Sequence, residues 1–194
     1  MTPMDIYKRA WEEIQPHLIG WIVFYTVFTA ITFATCGLGG LLMPNVMREL
    51  RDTRLEGRGP SIGRLFDMQR AANDLVNYLI WYGAIIVGSA AGGIGGTIAA
   101  VALQFQMALA ADDRYAPMDN AKLSMKHVGA HLGDHVIFMV ISSAMAMFAV
   151  MLCLLPLPLI GPIMGMATWL WYEQSREELE RMAAEGGIKQ LSVS

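Results

Sequence analysis

The chain has 194 residues, 55% hydrophobic and 16% charged, with a mean hydropathy of +0.41. Soluble domains carry about 25% charged residues, so the deficit excludes an ordinary water-facing surface. The formal net charge of −3 offers no basic face to nucleic acid, and acidic residues accompany Lys and Arg in every charged segment, which excludes a polybasic lipid clamp.

Thr2-Pro3 reads as a helix start, and Tyr7, Trp11, Ile14 and Leu18 then recur at helical spacing. An amphipathic helix leading into a span is expected to lie in the headgroup layer. The first charge-free window follows, Ile14–Met47, 34 residues with Cys36-Gly37-Leu38-Gly39-Gly40 at its middle. Ser61 marks a second helix start, and Ile62, Leu65, Phe66 and Met68 give a rougher stripe. The second window, Leu75–Ala111, has 37 residues around Gly92-Gly93-Ile94-Gly95-Gly96. Within it Ala84, Gly88, Gly92 and Gly96 form a ladder of small residues suited to close helix packing. A third leading helix carries Ala121, Met125, Val128 and Leu132 on one stripe. The third window, His135–Tyr172, has 38 residues broken by Leu155-Pro156-Leu157-Pro158 and Gly161-Pro162. A charged helical tail with Glu177 and Arg181 four apart extends the last span, and residues after Gly186 are expected to be loose.

A helix crosses the hydrocarbon core in about 20 residues. Each window is too long for one span and slightly short for two, and Gly and Pro at the middles are chain reversers. The windows therefore predict three tight hairpins and six spans. All 14 Lys and Arg then fall on one face, which the positive-inside rule makes cytoplasmic, with both termini there. Three single spans would divide the basic residues five against nine, a weaker bias.

The hairpins also repeat in sequence at a period of about 57. Pro3, Pro60 and Pro117 align, as do Leu18, Leu75 and Leu132. Pro3–Phe24 matches the stretch from Pro117 at 7 of 22 positions, His17 meeting His131, where average composition gives roughly one or two. The expected fold is all-α: a polytopic membrane bundle of six transmembrane helices in three parallel hairpin repeats (3–53, 60–112, 117–175), each preceded by an interfacial helix. These make a single domain over 1–182, followed by a cytoplasmic tail, 183–194.

Gly39-Gly40-Leu41-Leu42-Met43-Pro44 and the run Arg54–Asp67 resemble the first half of the YciC-like group of bacterial membrane proteins, a group related to the membrane domain of some glycerophosphodiester phosphodiesterases. Pro117, Ala121, Ser124 and Leu159-Ile160-Gly161-Pro162 resemble its second half. The resemblance implies a six-helix protein of the bacterial inner membrane. It does not carry over the phosphodiesterase catalytic domain, which this chain has no room for outside its spans. Gly92–Gly96 lacks the family's proline, and Met125 stands where the family often has Trp.

His127, His131 and His135 are spaced four apart on one helix face, with Asp134 beside them. Neighbouring pairs could share a metal, but all three span about 12 Å on a straight helix. His at a membrane boundary is more often an anchor, and no metal or other cofactor is expected. Trp21, Trp81, Trp169 and Trp171 read as interfacial aromatics. Cys36 and Cys153 near the outer turns would pair only if that side is oxidising. No charge lies inside a span and no nucleophile–base pair or phosphate loop appears, which argues against coupled transport and against an enzyme. The sequence thus predicts a non-enzymatic scaffold or accessory subunit that packs laterally with lipids and with another membrane protein or a second copy. The alternative is a protein handling lipid or a small hydrophobe in a groove between hairpins.

Overall fold

Thr2 caps the first helix reciprocally: its hydroxyl accepts the Asp5 N–H at 3.3 Å, and the Asp5 carboxylate accepts the Thr2 N–H at 3.1 Å. From this start α1 (Pro3–Ile14) passes through a 3-10 turn at Gln15–His17 into α2 (Leu18–Ala34). A 3-10 turn (Leu38–Leu42) leads to α3 (Met43–Glu56), and another (Ile62–Phe66) precedes α4 (Ala71–Ala90). The chain continues as α5 (Ile94–Ala102), α6 (Gln106–Asp112), α7 (Pro117–Ala130), α8 (Leu132–Met151) and α9 (Leu157–Glu185). The computed structural model describes residues 2–35, 37–92, 94–152 and 156–191, an all-helical bundle with no strand among them. Cys36 and Cys153 lie outside the described residues, as do Gly93 and Leu155 of the expected turns.

Among the described residues, three stretches are long and apolar enough to cross a membrane: Pro3–Ala34, Ile94–Asp112 and Leu132–Ala149. The other legs of the expected hairpins do not qualify, for identifiable reasons. The first returns through α3, which carries Arg48, Glu49, Arg51, Asp52, Arg54 and Glu56. Helix α4 opens on Asn73, Asp74 and Asn77. The apolar part of α9 ends at Tyr172, and the helix continues, charged, to Glu185.

The long apolar helices leave many apolar residues on the surface, although the Ile94–Asp112 window is 56% buried. Ile19, Val23 and Phe33 on α2, Leu79 and Val87 on α4, Ile98 on α5, and Val140 and Phe148 on α8 are all exposed. Only 17% of the most apolar window of Pro3–Ala34 is buried, and 22% of that in Leu132–Ala149. A buried core helix of a water-soluble protein would bury most of such a window, whereas a lipid-facing helix leaves it uncovered.

The core lies where α3, α6 and α9 touch one another in pairs. Helix α9 also reaches α1, α2, α7 and α8. Gly161 and Gly165 let the Tyr25 ring lie directly on α9, where any Cβ would strike it. Trp21, Trp169 and Trp171, expected at interfaces, are instead buried in this core. The reason is their position on the α2 and α9 faces that pack inward, with Phe105 edge-on to Trp171 at 5.7 Å.

The expected interfacial stripes divide. Tyr7 and Ile14 of α1, Leu65 of the Ile62–Phe66 turn and Val128 of α7 are buried in the bundle, while Trp11, Phe66 and Met125 are exposed. The inward residues have specific partners: Tyr7 stacks on Phe138 at 5.0 Å and its hydroxyl bonds Ser142. The leading segment of the second copy is only a 3-10 turn.

Of the small-residue ladder, Gly88 and Gly96 lie in the α4–α5 contact. A Cβ on Gly88 would meet the Gly95 carbonyl, and one on Gly96 would meet Ser89. Gly92 does not continue the ladder, because its φ of +112° makes the reversal after α4 ends at Ala90. Ala84 is half-buried one turn before Gly88. Gly88→Val is expected to destabilise the protein by about 1–3 kcal/mol, because the obstacle is backbone that cannot step aside. Unfolding in mild detergent measures it, with Gly83→Val, whose Cβ meets open space, as the neutral control.

Two backbone features recur. The long helices α2, α4 and α8 each follow a residue outside the helical region: His17 (φ −120°, ψ 26°), Arg70 (φ −122°, ψ 20°) and His131 (φ −124°, ψ 36°). Helices α3 and α6 each end on a left-handed residue, Gly57 (φ 63°) and Asp113 (φ 58°). The tail expected to be loose is docked as far as Leu191, the last described residue: the Ile188 N–H returns to the Ala183 carbonyl at 2.9 Å, and the Leu191 N–H donates to the Arg114 carbonyl at 2.7 Å. Ile188 packs against the core, which explains the order.

Candidate metal centre at the charged end of the bundle

Ion pairs tie the four charged segments together at one end of the bundle. Arg54 of α3 bridges Glu13 of α1 at 3.2 Å and Glu173 of α9. Arg70 pairs with Asp113, and Arg176 with Asp112 at 3.2 Å. Arg114 pairs with Asp112 at 2.9 Å and with Glu180. Arg181 faces Glu178 and Glu185 rather than the expected Glu177.

An open polar cleft of about 500 Å³ sits in this network, lined by four arginines, Arg48, Arg51, Arg64 and Arg70. Four carboxylates, Asp52, Asp67, Asp112 and Asp113, line it as well, so it has no excess charge to attract an anion. Beneath it, Arg48 holds Asp74 in a bidentate pair, 2.7 Å on each arm, and also donates to Asn45 Oδ1 at 2.6 Å. Asn45 in turn donates to the Leu65 and Asp67 carbonyls at 3.1 and 2.9 Å, which fixes the loop before α4.

A second polar node joins α4, α6 and α7. Gln106 and Asn120 both donate to Asn77 Oδ1, at 2.7 and 3.1 Å, and all three side chains are buried. Asn77→Ala leaves the Asn120 amide without this acceptor and is expected to cost about 1–2 kcal/mol, read from thermal unfolding in detergent.

The histidines form the third cluster, and two helix breaks build it. The first is the turn between α5 and α6. Its freed backbone groups are satisfied by Ser124, whose hydroxyl accepts the Phe105 N–H at 3.1 Å and donates to the Ala102 carbonyl at 2.9 Å. The second break is at His131, between α7 and α8. It corrects the straight-helix spacing: His127 and His135 are not about 12 Å apart but share a 3.0 Å hydrogen bond between Nδ1 and Nε2. His135 stacks on Trp171 at 4.3 Å and meets Phe105 edge-on at 5.1 Å. Its Nδ1 lies 2.8 Å from Gln104 Oε1, which the first break delivers.

Helix α9 supplies the acid. Glu178 Oε2 lies 3.0 Å from His131 Nε2 and 3.7 Å from His127 Nε2. The donor atoms of His127, His131 and Glu178 all fall within 4.8 Å of one another. His127 is 2% exposed, and burial together with the neighbouring His131 pushes its imidazole down to about 4. The hydrogen bond from His131 holds the Glu178 carboxyl below the usual carboxylate range. At neutral pH a neutral imidazole therefore faces an ionised carboxylate, a chemically competent pair of metal ligands.

The sequence named the three histidines but missed Glu178 and Gln104. Glu178 sits in a charged tail with four other acids, and Gln104 in a charge-free window, so neither spacing nor composition marked them. Comparison of the chain with protein-family models, curated proteins and solved structures finds no match.

Proposed function

We propose that this chain is a non-enzymatic integral membrane protein that serves as a scaffold or accessory subunit through lateral helix packing. The observation that carries the reading is the division of its surface. The polar groups at the charged end are largely spent on one another, whereas the flanks of α2, α4, α5 and α8 present uncovered apolar residues to any neighbour in the bilayer.

Three parallel repeats of leading segment, long helix and return leg fit this architecture. The matching breaks at His17, Arg70 and His131 support them, as do the left-handed ends at Gly57 and Asp113. The arginine link between Glu13 and Glu173 supports termini on one side, and the positive-inside rule makes that side cytoplasmic. In the six-pass reading, the mixed legs cross or re-enter beside the three longer spans. Placement in a bacterial inner membrane rests on the YciC-like resemblance.

Native mass spectrometry of the protein, extracted gently from its own membrane, tests the function. A stoichiometric complex with another polypeptide or a second copy is the expected result. A single chain retaining a fixed number of lipids, with no protein partner, would replace the scaffold reading by lipid handling.

A further inference from the structure

We propose that His127, His131 and Glu178 form a binding site for a divalent transition-metal ion of the zinc type, which cross-links α7 to α9 at the charged end of the bundle. The inference is independent of the scaffold reading.

The convergence of donor atoms carries it. Those of His127 on α7, His131 at the break after it and Glu178 on α9 all lie within 4.8 Å of one another. His127 Nε2 faces a carboxylate oxygen of Glu178 at 3.7 Å, too far for a hydrogen bond between them and open to a shared cation. In the tautomer in which His135 Nδ1 donates to Gln104 Oε1 at 2.8 Å and His127 Nδ1 donates to His135 Nε2 at 3.0 Å, His127 Nε2 keeps its lone pair for that cation. His131 Nε2, 3.0 Å from the same oxygen, closes the third side; it donates to that oxygen in the metal-free site and would give up this proton, or move it to Nδ1, to ligate.

The donor set and its support suit such an ion. Two imidazoles and one carboxylate are a recurrent set for zinc, with a fourth position left to water. Ligand bonds of about 2.0–2.2 Å require the three donors to draw together from their present separations of up to 4.8 Å. Side-chain rotation supplies this, because His131 and Glu178 are 38% and 31% exposed and free to move while His127 is held. The chain from His127 through His135 to Gln104 is the outer support that ligating histidines use to fix ring orientation and tautomer. The stacking of His135 on Trp171 keeps that support rigid.

The test is Co²⁺ titration of the full-length, tag-free protein in detergent, followed by visible absorption and competed with Zn²⁺. The expected result is one equivalent bound with the bands of a four-coordinate site, displaced by Zn²⁺. Glu178→Gln, a near-isosteric change on a partly exposed residue, is expected to weaken binding at least tenfold, as is His127→Gln. Gln104→Leu is expected to weaken it by about 10–100-fold without removing a ligand. His17→Ala, outside the cluster, leaves it unchanged. Absence of stoichiometric binding by the unmodified protein would overturn the proposal, as would binding indifferent to Glu178→Gln in a protein that unfolds at the unmodified temperature. In those cases the relay runs the other way, with His127 Nε2–H pointing at the carboxylate.

Discussion

Asp74→Ala is expected to destabilise the bundle by about 3–5 kcal/mol, the cost of leaving a buried charge without its partner. The Asp74 and Arg48 side chains are 6% and 16% exposed, and water cannot replace the carboxylate once it is gone. Arg48 would keep only Asn45 and a long contact to the Ala110 carbonyl at 3.4 Å. The double variant Arg48→Met with Asp74→Ala removes both charges and is expected to recover most of the loss, since a buried pair contributes little net stability over apolar packing. Unfolding in mild detergent distinguishes the two. A double variant as unstable as the single one would show that the pair positions α3 against α4 in a way that packing cannot replace. Added salt should change little, because screening acts weakly on buried pairs.

Glu49→Ala should cost about 3 kcal/mol, at the lower edge of the range for breaking a buried pair. Glu49 is fully buried and gathers the loop after α3. Arg58 donates to both of its oxygens at 2.6 and 3.2 Å, and the Ser61 N–H donates at 2.6 Å. Arg58 is about one-third exposed and can turn to water, which keeps the cost at the lower edge. Here the informative readout is local. Trypsin should cut after Arg58 roughly a hundredfold faster, following the larger population of the open loop. An unchanged cutting rate would mean that Gly57 and the turn at Ile62–Phe66 hold the loop without the carboxylate.

What the sequence made legible was where polarity changes. The charge-free windows located the apolar helices, and Gly92 marked a reversal because only glycine adopts its φ without strain. The two legs of each window are not equally apolar, because absence of charge is not the same as apolarity. Asn73 and Asn77 escape a count of charged residues, and α3 becomes charged within two turns of Met43. The stripes failed in a different way: a period of 3.6 residues locates a face but not its owner, so Tyr7 went to Phe138 while Trp11 stayed exposed. The histidine cluster was half visible. Spacing named three rings, but whether they meet depends on a bend at His131, and a straight-helix rule cannot contain one. Ser124 shows the same limit. It was noted for the resemblance it carries, yet its work is to satisfy the broken backbone between α5 and α6.

The order of synthesis gives the position of α9 a further meaning. Arg54 is made before Glu173, Asp112 before Tyr172 and Arg176, and His127 before Glu178, so each waits for a further partner on α9. Until then Arg54 has only Glu13 of its ion-pair partners and Asp112 only Arg114, and the earlier helices have no α9 to close upon. At about 5–20 residues per second, the wait from Arg54 to Glu173 lasts several seconds. The bundle is therefore locked from its C-terminal helix, as an arch is by its keystone. A chain cut short before α9 would leave Arg54, Asp112 and His127 without these partners.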